Sequence, residues 1–260
     1  MFVDSHCHLS SEEIYNHLDE VVNRAHMVGV QYFLNAGGKF DELERQIEIC
    51  HRFAHVWTVT GVHPHDALHF SSVKLDEVLL NAQKPEIVAI GECGLDYFYD
   101  FAPKDIQIKI FKMMIEAAQE SGLPIIIHTR DAEADTIELL SNAYKRKPFK
   151  GVIHCYSSTQ WLAQEALKLG FYISASGMIT FKNADNLRDS FKIIPVERLL
   201  LETDTPYLAP VPMRGKTNEP SYIVHTAGVL ADIKGMNLED LERVTTQNFF
   251  DLFDKAKNND

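Results

Sequence analysis

Short apolar runs alternate with longer segments of helical periodicity along the chain, and this alternation limits the folds that the chain can adopt. Eight runs are present, at 1–6, 30–37, 56–63, 86–92, 123–128, 151–155, 171–176 and 198–204. Continuous runs of valine, isoleucine and leucine are typical of parallel strands buried on both faces. Helical patterns occupy 11–28, 103–121, 132–145, 158–169, 183–193, 220–232 and 237–254.

The number of repeats indicates the fold class. Eight strand–helix repeats in 260 residues match a (β/α)8 TIM barrel, an α/β fold, with one domain over 1–260. The alternative is an open doubly wound sheet, which needs no closure and typically has fewer strands. The link between the third and fourth strands predicts only a short helix and a longer loop. "SSEE" at 10–13 predicts a capping serine for the first helix.

Composition limits the class of protein. No apolar run reaches the roughly 18 to 20 residues that span a bilayer, and the chain starts directly with a strand, so we expect neither a membrane segment nor a signal peptide. Four scattered cysteines (Cys7, Cys50, Cys93 and Cys155) predict free thiols in a reducing compartment, hence a cytoplasmic protein. We expect a monomer.

The net charge of −12 argues against broad electrostatic binding of nucleic acid, which usually relies on a basic surface. Bound metal ions could still supply positive charge locally.

Side chains able to bind metals stand at the ends of most predicted strands. They are His6, His8, His63, Glu92, His128, His154 and Asp204. In a barrel the carboxyl ends of the strands meet at one rim, where the chemistry lies. A lone histidine at such a position is more often structural, but 6 of the 12 histidines, namely these five and His65, gather at predicted strand ends. The ensemble therefore predicts a metal centre.

The spacing of "HCH" at 6–8 strengthens this prediction, because residues two apart on a strand point to the same face. His6 and His8 can therefore face one ion, and Asp4 is expected deeper on the same face as a supporting partner. The cysteines that adjoin these positions are expected to point towards the helices as small buried residues, namely Cys7, Cys93 and Cys155.

Two carboxylates complete the predicted centre. Glu92 in "GECGLDYFYD" stands at a strand end beside glycines, and its two oxygens can each bind one ion. The alternative for Glu92 is an ion pair with a lysine or arginine. Asp204 in "LETDTPYLAP" follows an apolar run, where an unpaired charge is strongly disfavoured, so we expect its partner to be a cation.

With these residues identified, the chain resembles the TatD family of metal-dependent deoxyribonucleases. The matching stretches are "DSHCHL" (4–9), "GVHPH" (61–65), "IGECGLDY" (90–97), "PIIIHTRDA" (124–132), "GVIHCYS" (151–157), "ETDTPYLAP" (202–210), "RGKTNEP" (214–220) and "NFFDLF" (248–253). Their order, spacing and strand placement agree over 4–253, which makes the resemblance highly specific.

The resemblance implies the ligands and the activity. It implies that His6, His8, Glu92, His128, His154 and Asp204 bind two divalent ions (Mg, Mn, Zn or Fe), with Glu92 bridging. It also implies hydrolysis of phosphodiester bonds in DNA, commonly as a 3′-to-5′ exonuclease that prefers single strands. The chain departs from the family at Thr217, where an arginine is common, and this puts a phosphate or loop contact in doubt.

A mechanism can be assigned to these residues. Two ions roughly 3.5 to 4 Å apart can activate a shared water, and Asp204 could accept its proton while Glu92 joins the ions. Candidates to bind the phosphate are His63, His65, Arg130, Lys182, Arg214 and Lys216. The arginines and lysines could equally be solvated surface charges, and the histidines could equally have a structural role. The aromatic residues of the loop after Glu92 could stack on nucleobases or pack over the barrel mouth, namely Tyr97, Phe98, Tyr99 and Phe101.

Two other functions remain open. The same metals could hydrolyse another ester or amide, such as the ester of a D-aminoacyl-tRNA. The barrel could also bind metal or a protein without catalysis. Amidohydrolases that bridge their metals with a modified lysine are disfavoured, because Glu92 occupies the fourth strand.

Overall fold

The fold is a barrel of eight parallel strands in sequence order, seen in a computed structural model that describes residues 1–37 and 39–256. The strands are β1 (Phe2–Cys7), β2 (Val30–Asn35), β3 (Val56–Thr60), β4 (Ile87–Asp96), β5 (Ile125–Arg130), β6 (Gly151–Ile153), β7 (Tyr172–Ala175) and β8 (Leu199–Leu201). The predicted (β/α)8 fold is confirmed. Gly38 and 257–260, which the predicted domain includes, lie outside the described residues.

Backbone hydrogen bonds join the two ends of the sheet. The Asp204 amide donates to the His6 carbonyl at 2.9 Å, and the His8 amide donates to the Thr205 carbonyl at 2.8 Å. The segment that follows β8 therefore lies against the end of β1, which an open doubly wound sheet would not allow.

Ten helices connect or follow the strands in the described part of the chain. They are α1 (Glu12–Tyr15), α2 (Leu18–Met27), α3 (Leu43–Arg52), α4 (Leu75–Ala82), α5 (Lys104–Ser121), α6 (Glu133–Arg146), α7 (Gln160–Lys168), α8 (Asp185–Ile193), α9 (Ile223–Lys234) and α10 (Leu238–Leu252). α4 is the short helix predicted between β3 and β4, and α5 ends at Gly122 with a positive φ of 74°.

Two expectations about the helices were wrong. The predicted helix 11–28 is divided into α1 and α2, and Ser11 at its start makes no side-chain capping bond. α3, which follows β2 and precedes β3 along the chain, was not predicted from the sequence. Of its residues, only Gln46 and Ile49 are buried. Most residues of α3 are polar, so it has few of the apolar residues from which a helix is recognised in a sequence.

The apolar core has two parts. One lies between the strands and the surrounding helices. The other is built from alternate strand residues such as Val3, Leu34 and Ile126, together with Phe249 and Phe253 near the end of α10. Thr246 of α10 donates a hydrogen bond to the Met1 carbonyl, so α10 lies at the amino end of β1. The carboxyl ends of the strands are thereby left for the site.

Among the described residues, no helix combines the length and apolarity that crossing a bilayer requires. All four cysteines are free thiols, and the cytoplasmic location stays a prediction.

Candidate metal centre

A cavity of about 990 Å³ opens where the strands end at their carboxyl termini. Its lining includes His8, His63, His65, Glu92, His128, His154 and Asp204. Glu92 and His128 lie on β4 and β5, and the other five residues follow the ends of β1, β3, β6 and β8. Barrel closure therefore brings together residues that are far apart in the sequence.

Glu92 lies at the centre of this group and is only 8% exposed. Its Oε2 is 3.2 Å from His6 Nε2, and its Oε1 is 3.2 Å from His128 Nδ1 and 2.7 Å from His154 Nε2. His63 Nε2 is 3.3 Å from the same Oε1. Within the described residues the charged-pair partners of Glu92 are histidines, so the expected alternative of a lysine or arginine partner does not hold.

Asp204 lies on the β1 side of the same group. Its Oδ1 is 3.1 Å from His8 Nε2 and 3.8 Å from His6 Nε2. The residue has a φ of 59°, and its amide is held by the His6 carbonyl. We call the following set the six-residue cluster: His6, His8, Glu92, His128, His154 and Asp204.

The donor set fits divalent cations. Ligand-type atoms of His6, His8 and Glu92 converge in one group, and those of Glu92, His128 and His154 converge in a second, so that Glu92 is shared. Both ring nitrogens of His6 and His154 are buried and lack a hydrogen-bond partner of acceptable geometry among the described residues. Buried polar atoms are rarely left without a partner, and a bound cation would satisfy them.

The charges in the cluster stabilise one another. Burial raises the pKa of Glu92, but the imidazoles of His154, His63 and His6 lower it by more, so its pKa lies well below the ordinary value. Burial lowers the pKa of His154, whereas Glu92 and Glu202 raise it by more. The carboxylate is therefore ionised at neutral pH, as a metal ligand must be.

Apart from its histidines, the lining of the cavity has more acidic than basic side chains. Its basic residues are Lys39 and Arg130, and its acidic residues are Glu42, Asp66, Glu92 and Asp204. When the imidazoles are neutral, as metal ligands must be, such a lining favours cations, and an anionic ligand would be repelled unless additional positive charge were bound.

Two glycines provide the space that the cluster needs. A Cβ on Gly37 would lie 1.5 Å from His8 Nδ1, so the His8 ring occupies the room that a side chain would fill. Gly94 has a φ of +145°, and a Cβ there would lie 1.9 Å from the His128 carbonyl oxygen. Glycine at this position allows β4 to approach β5 closely beside Glu92.

Asp96 and Glu202 support the cluster, although sequence analysis assigned them no role. Asp96 Oδ2 is 3.0 Å from His128 Nε2 and 2.8 Å from His65 Nε2. Glu202 Oε1 is 3.5 Å from His154 Nδ1, and its other oxygen accepts a 2.5 Å hydrogen bond from Ser174. Carboxylates of this kind orient metal-binding histidines.

Both carboxylates could have been identified from the two-residue period of side chains along a strand. Asp96 stands four residues after Glu92 on the same strand, and Glu202 stands two residues before Asp204. Asp4 was expected deeper in the barrel, and there it accepts hydrogen bonds from the amide and hydroxyl of Thr203.

The expectation for Cys155 was wrong. Cys7 and Cys93 are fully buried in the core as expected, but Cys155 lines the cavity, with its Sγ 3.7 Å from Asp204 Oδ2. β6 ends at Ile153, and Cys155 has a φ of 44°. The alternation of side chains therefore no longer applies at this position.

The predicted phosphate contacts fall into two sets. His63, His65 and Arg130 line the cavity. The others do not belong to its lining within the described residues, namely Lys182, Arg214 and Lys216. Arg214 instead donates to the Ala209 carbonyl and lies over the Phe181 ring. Thr217, the departure from the family pattern, is exposed and is also outside the lining.

The loop aromatics also divide. Tyr99 and Phe101 line the cavity, whereas Tyr97 donates a hydrogen bond to Asp135 and Phe98 packs against the guanidinium of Arg130. Tyr207, which lies three residues after Asp204, lines the cavity as well, and sequence analysis gave it no role.

Comparison with known proteins gives a match to one family along almost the whole chain. Residues 3–254 match the model of a family described as TatD related DNase. A metal-dependent hydrolase of Bacillus subtilis, YabD, is 38% identical over 97% of this chain and 99% of its own length. The 3′-5′ ssDNA/RNA exonuclease TatD of Enterobacter lignolyticus is 34% identical over 95% of this chain and 97% of its own length.

A solved structure agrees as well. The crystal structure of a TatD-family hydrolase from Entamoeba histolytica covers 97% of both chains, with a TM-score of 0.85 and 26% identity. A barrel with a cluster suited to divalent cations, a family model over nearly the whole chain and full-length relatives all agree. This chain belongs to the family of TatD-related metal-dependent hydrolases.

Proposed function

We propose that this protein hydrolyses phosphodiester bonds of DNA, removing nucleotides from the 3′ end of single strands with two divalent ions bound at the six-residue cluster. The observation that carries the proposal is the shared position of Glu92 between two groups of ligand-type side chains at the wall of the cavity. The name of the Enterobacter lignolyticus relative supports nucleic acid as the substrate class.

The proposed ligands are divided around Glu92. His6, His8 and Asp204 would hold one ion and His128 and His154 the other, with one oxygen of Glu92 directed to each side. When bound, a pair of divalent ions supplies Lewis-acid chemistry, which polarises a phosphoryl oxygen and lowers the pKa of a water.

Asp204 is the proposed general base. Burial raises its pKa, but the hydrogen bond and charge of His8 lower it by more, so the carboxylate is ionised at neutral pH. Oδ1 faces His8, whereas Oδ2 faces the cavity side near Cys155 and can take the proton of the attacking water. His8 thus orients the carboxylate.

Three residues on the cavity wall across the cluster from Asp204 are proposed to bind the phosphate, namely His63, His65 and Arg130. His63 and His65 lie next to His128, with ring centroids 4.9 and 6.0 Å from it. The Arg130 guanidinium lies 3.8 Å over the Phe98 ring, and stacking of this kind leaves its N–H edge able to donate to a phosphate oxygen.

The test uses metal-depleted protein and a 5′-labelled single-stranded oligonucleotide. Adding Mg²⁺, Mn²⁺, Zn²⁺ or Fe²⁺ separately should restore stepwise shortening from the 3′ end, and Asp204→Asn should lower kcat at least about 100-fold. Asp189→Asn, which changes an exposed aspartate of α8, is the matched control. Absence of DNA cleavage with all four metals would contradict the proposal, and turnover of a D-aminoacyl-tRNA in the same assay would indicate the alternative esterase.

A further inference from the structure

We infer that the cavity holds two unpaired nucleobases, one on each side of the scissile phosphate, on two aromatic surfaces at opposite sides of the six-residue cluster. The first surface is the ring of Tyr207, called the Tyr207 ledge. The second is formed by Tyr99 and Phe101 and is called the Tyr99–Phe101 ledge. This inference rests on the proposed function and specifies the substrate that the site recognises.

The Tyr207 ledge is fixed through its backbone, while its ring stays accessible. The Tyr207 amide donates to the Asp204 carbonyl at 2.8 Å, and the side-chain amide of Asn218 donates to the Tyr207 carbonyl at 2.6 Å. Tyr207 is 57% exposed, and its ring lies edge-on to the His8 ring, with centroids 5.7 Å apart. An exposed, positioned aromatic face beside a metal-ligand candidate is suited to stacking.

Asp96 fixes the backbone of the loop that carries the Tyr99–Phe101 ledge. Asp96 Oδ1 accepts hydrogen bonds from the amides of Phe98 and Tyr99, at 3.0 Å each. Tyr99 and Phe101 are 41% and 58% exposed, and their ring centroids are 5.2 Å apart with a 30° angle between the planes. The two rings therefore form one broad aromatic surface on the lining of the cavity.

The order of the strands places the two ledges on opposite sides. Tyr207 follows β8, which adjoins β1, whereas Tyr99 and Phe101 follow β4, four strands away around an eight-strand barrel. Each ledge also contacts a different histidine: Tyr207 contacts His8, and the second ledge contacts His65 at centroid distances of 5.3 and 4.7 Å. Glu92 and its partners lie between them.

This arrangement selects unpaired bases. Within a duplex both faces of a base are covered by its stacked neighbours, so a base can lie on a protein ring only when the strand is splayed. Two ledges on either side of a phosphate-cleaving centre therefore suit a dinucleotide step whose bases are turned apart. Stacking of a base on an aromatic ring changes affinity by roughly 5- to 140-fold.

The experiment combines protein variants with abasic substrates. The variants are Tyr207→Leu and the double variant Tyr99→Leu/Phe101→Leu, which leave the six-residue cluster unchanged. The substrates are 5′-labelled single-stranded oligonucleotides with a tetrahydrofuran abasic residue at the 3′-terminal position, at the penultimate position or at neither. Trp161→Leu is the matched control, because Trp161 is an exposed aromatic residue of α7 outside the cavity lining.

The loss of each ledge should weaken the recognition of one base only. With the intact strand, Tyr207→Leu should raise KM about 10-fold. With the strand that lacks one of the two flanking bases, the same variant should raise KM by less than about 2-fold. The double variant should show the same pattern for the other base. Equal effects on all three substrates would mean that the rings act only on the structure of the protein, and this would overturn the inference.

Failure of the proposed function is distinguishable from failure of this inference. If the unaltered protein cleaves no DNA, the proposed function fails. Binding of the same labelled oligonucleotides, measured by fluorescence anisotropy, then tests the ledges. The inference is supported if each variant weakens binding only of those oligonucleotides that retain one particular base. It is overturned if neither variant changes the binding affinity.

Discussion

Asp96 accepts a 3.0 Å hydrogen bond from Nε2 of His128, the histidine whose Nδ1 faces Glu92. Because Nε2 is occupied by Asp96, Nδ1 is the nitrogen left for a metal. The same oxygen of Asp96 contacts His65, and its other oxygen holds the loop that carries Tyr99. A single carboxylate thus links the proposed metal centre to one wall of the cavity.

Replacing this carboxylate tests the link. Asp96→Asn should weaken metal binding about 10- to 100-fold, since the neutral amide accepts hydrogen bonds more weakly and has one accepting oxygen in place of two. Titration calorimetry with Mn²⁺ on metal-depleted protein measures the change. Asp100→Asn, an exposed aspartate of the same loop, is the control and should bind Mn²⁺ like the unaltered protein. Unchanged affinity in Asp96→Asn would remove the orienting role.

The space beside His8 gives a second prediction. Gly37→Ala would place a methyl group 1.5 Å from the present position of His8 Nδ1, so the ring must leave the position in which its Nε2 lies 3.1 Å from Asp204 Oδ1. We expect loss of metal from the His8 side and a fall in kcat of at least about 100-fold, because a small misplacement of a catalytic group has effects of this size.

Gly228→Ala is the matched control for that variant. Gly228 lies within α9, and an added Cβ would meet no atom within 4 Å. It should retain full activity and gain up to about 1 kcal/mol in the free energy of unfolding, because alanine favours the helix. Full activity in Gly37→Ala would show that the position of the His8 ring is not required.

Glu92→Gln tests the shared ligand. Glutamine keeps the shape of the side chain but offers one neutral oxygen in place of two charged ones. Metal content measured by mass spectrometry should fall from two ions per chain to one or none, with loss of turnover. Two retained ions would contradict the bridging role.

Metal affinity should rise with pH. In the metal-free protein burial lowers the pKa of His8, His128 and His154, but neighbouring carboxylates raise it by more, so each pKa lies above its ordinary value. Below these pKa values the imidazoles are protonated and protons compete with the metal. Affinity should therefore fall about tenfold per pH unit for each proton displaced as the pH is lowered through this range. Mn²⁺ titrations between about pH 5.5 and 8 measure this, and a pH-independent affinity would contradict it.

The sequence predicted those features that depend on local pattern. The eight apolar runs correspond to the eight strands, and His6 and His8 lie on one face because a strand has a period of two residues. All six residues of the cluster were named from strand-end positions, and the structure brings them together.

Features that depend on the path of the chain after a strand were not predictable in this way. Cys155 turns into the cavity because its backbone adopts a positive φ. Arg214 matched the family pattern, but its loop folds so that the guanidinium meets the Ala209 carbonyl outside the cavity lining. Asp96 lies on a strand and was missed for another reason: β4 continues four residues beyond Glu92, further than its apolar run indicates.

Anomalous diffraction from crystals of the protein soaked in Mn²⁺ tests the central claim most directly. The account predicts two Mn²⁺ peaks in the cavity, one next to His6, His8 and Asp204 and one next to His128 and His154, with a Glu92 oxygen on each. A soaked crystal with no Mn²⁺ at Glu92, or with ions only elsewhere on the molecule, would contradict it.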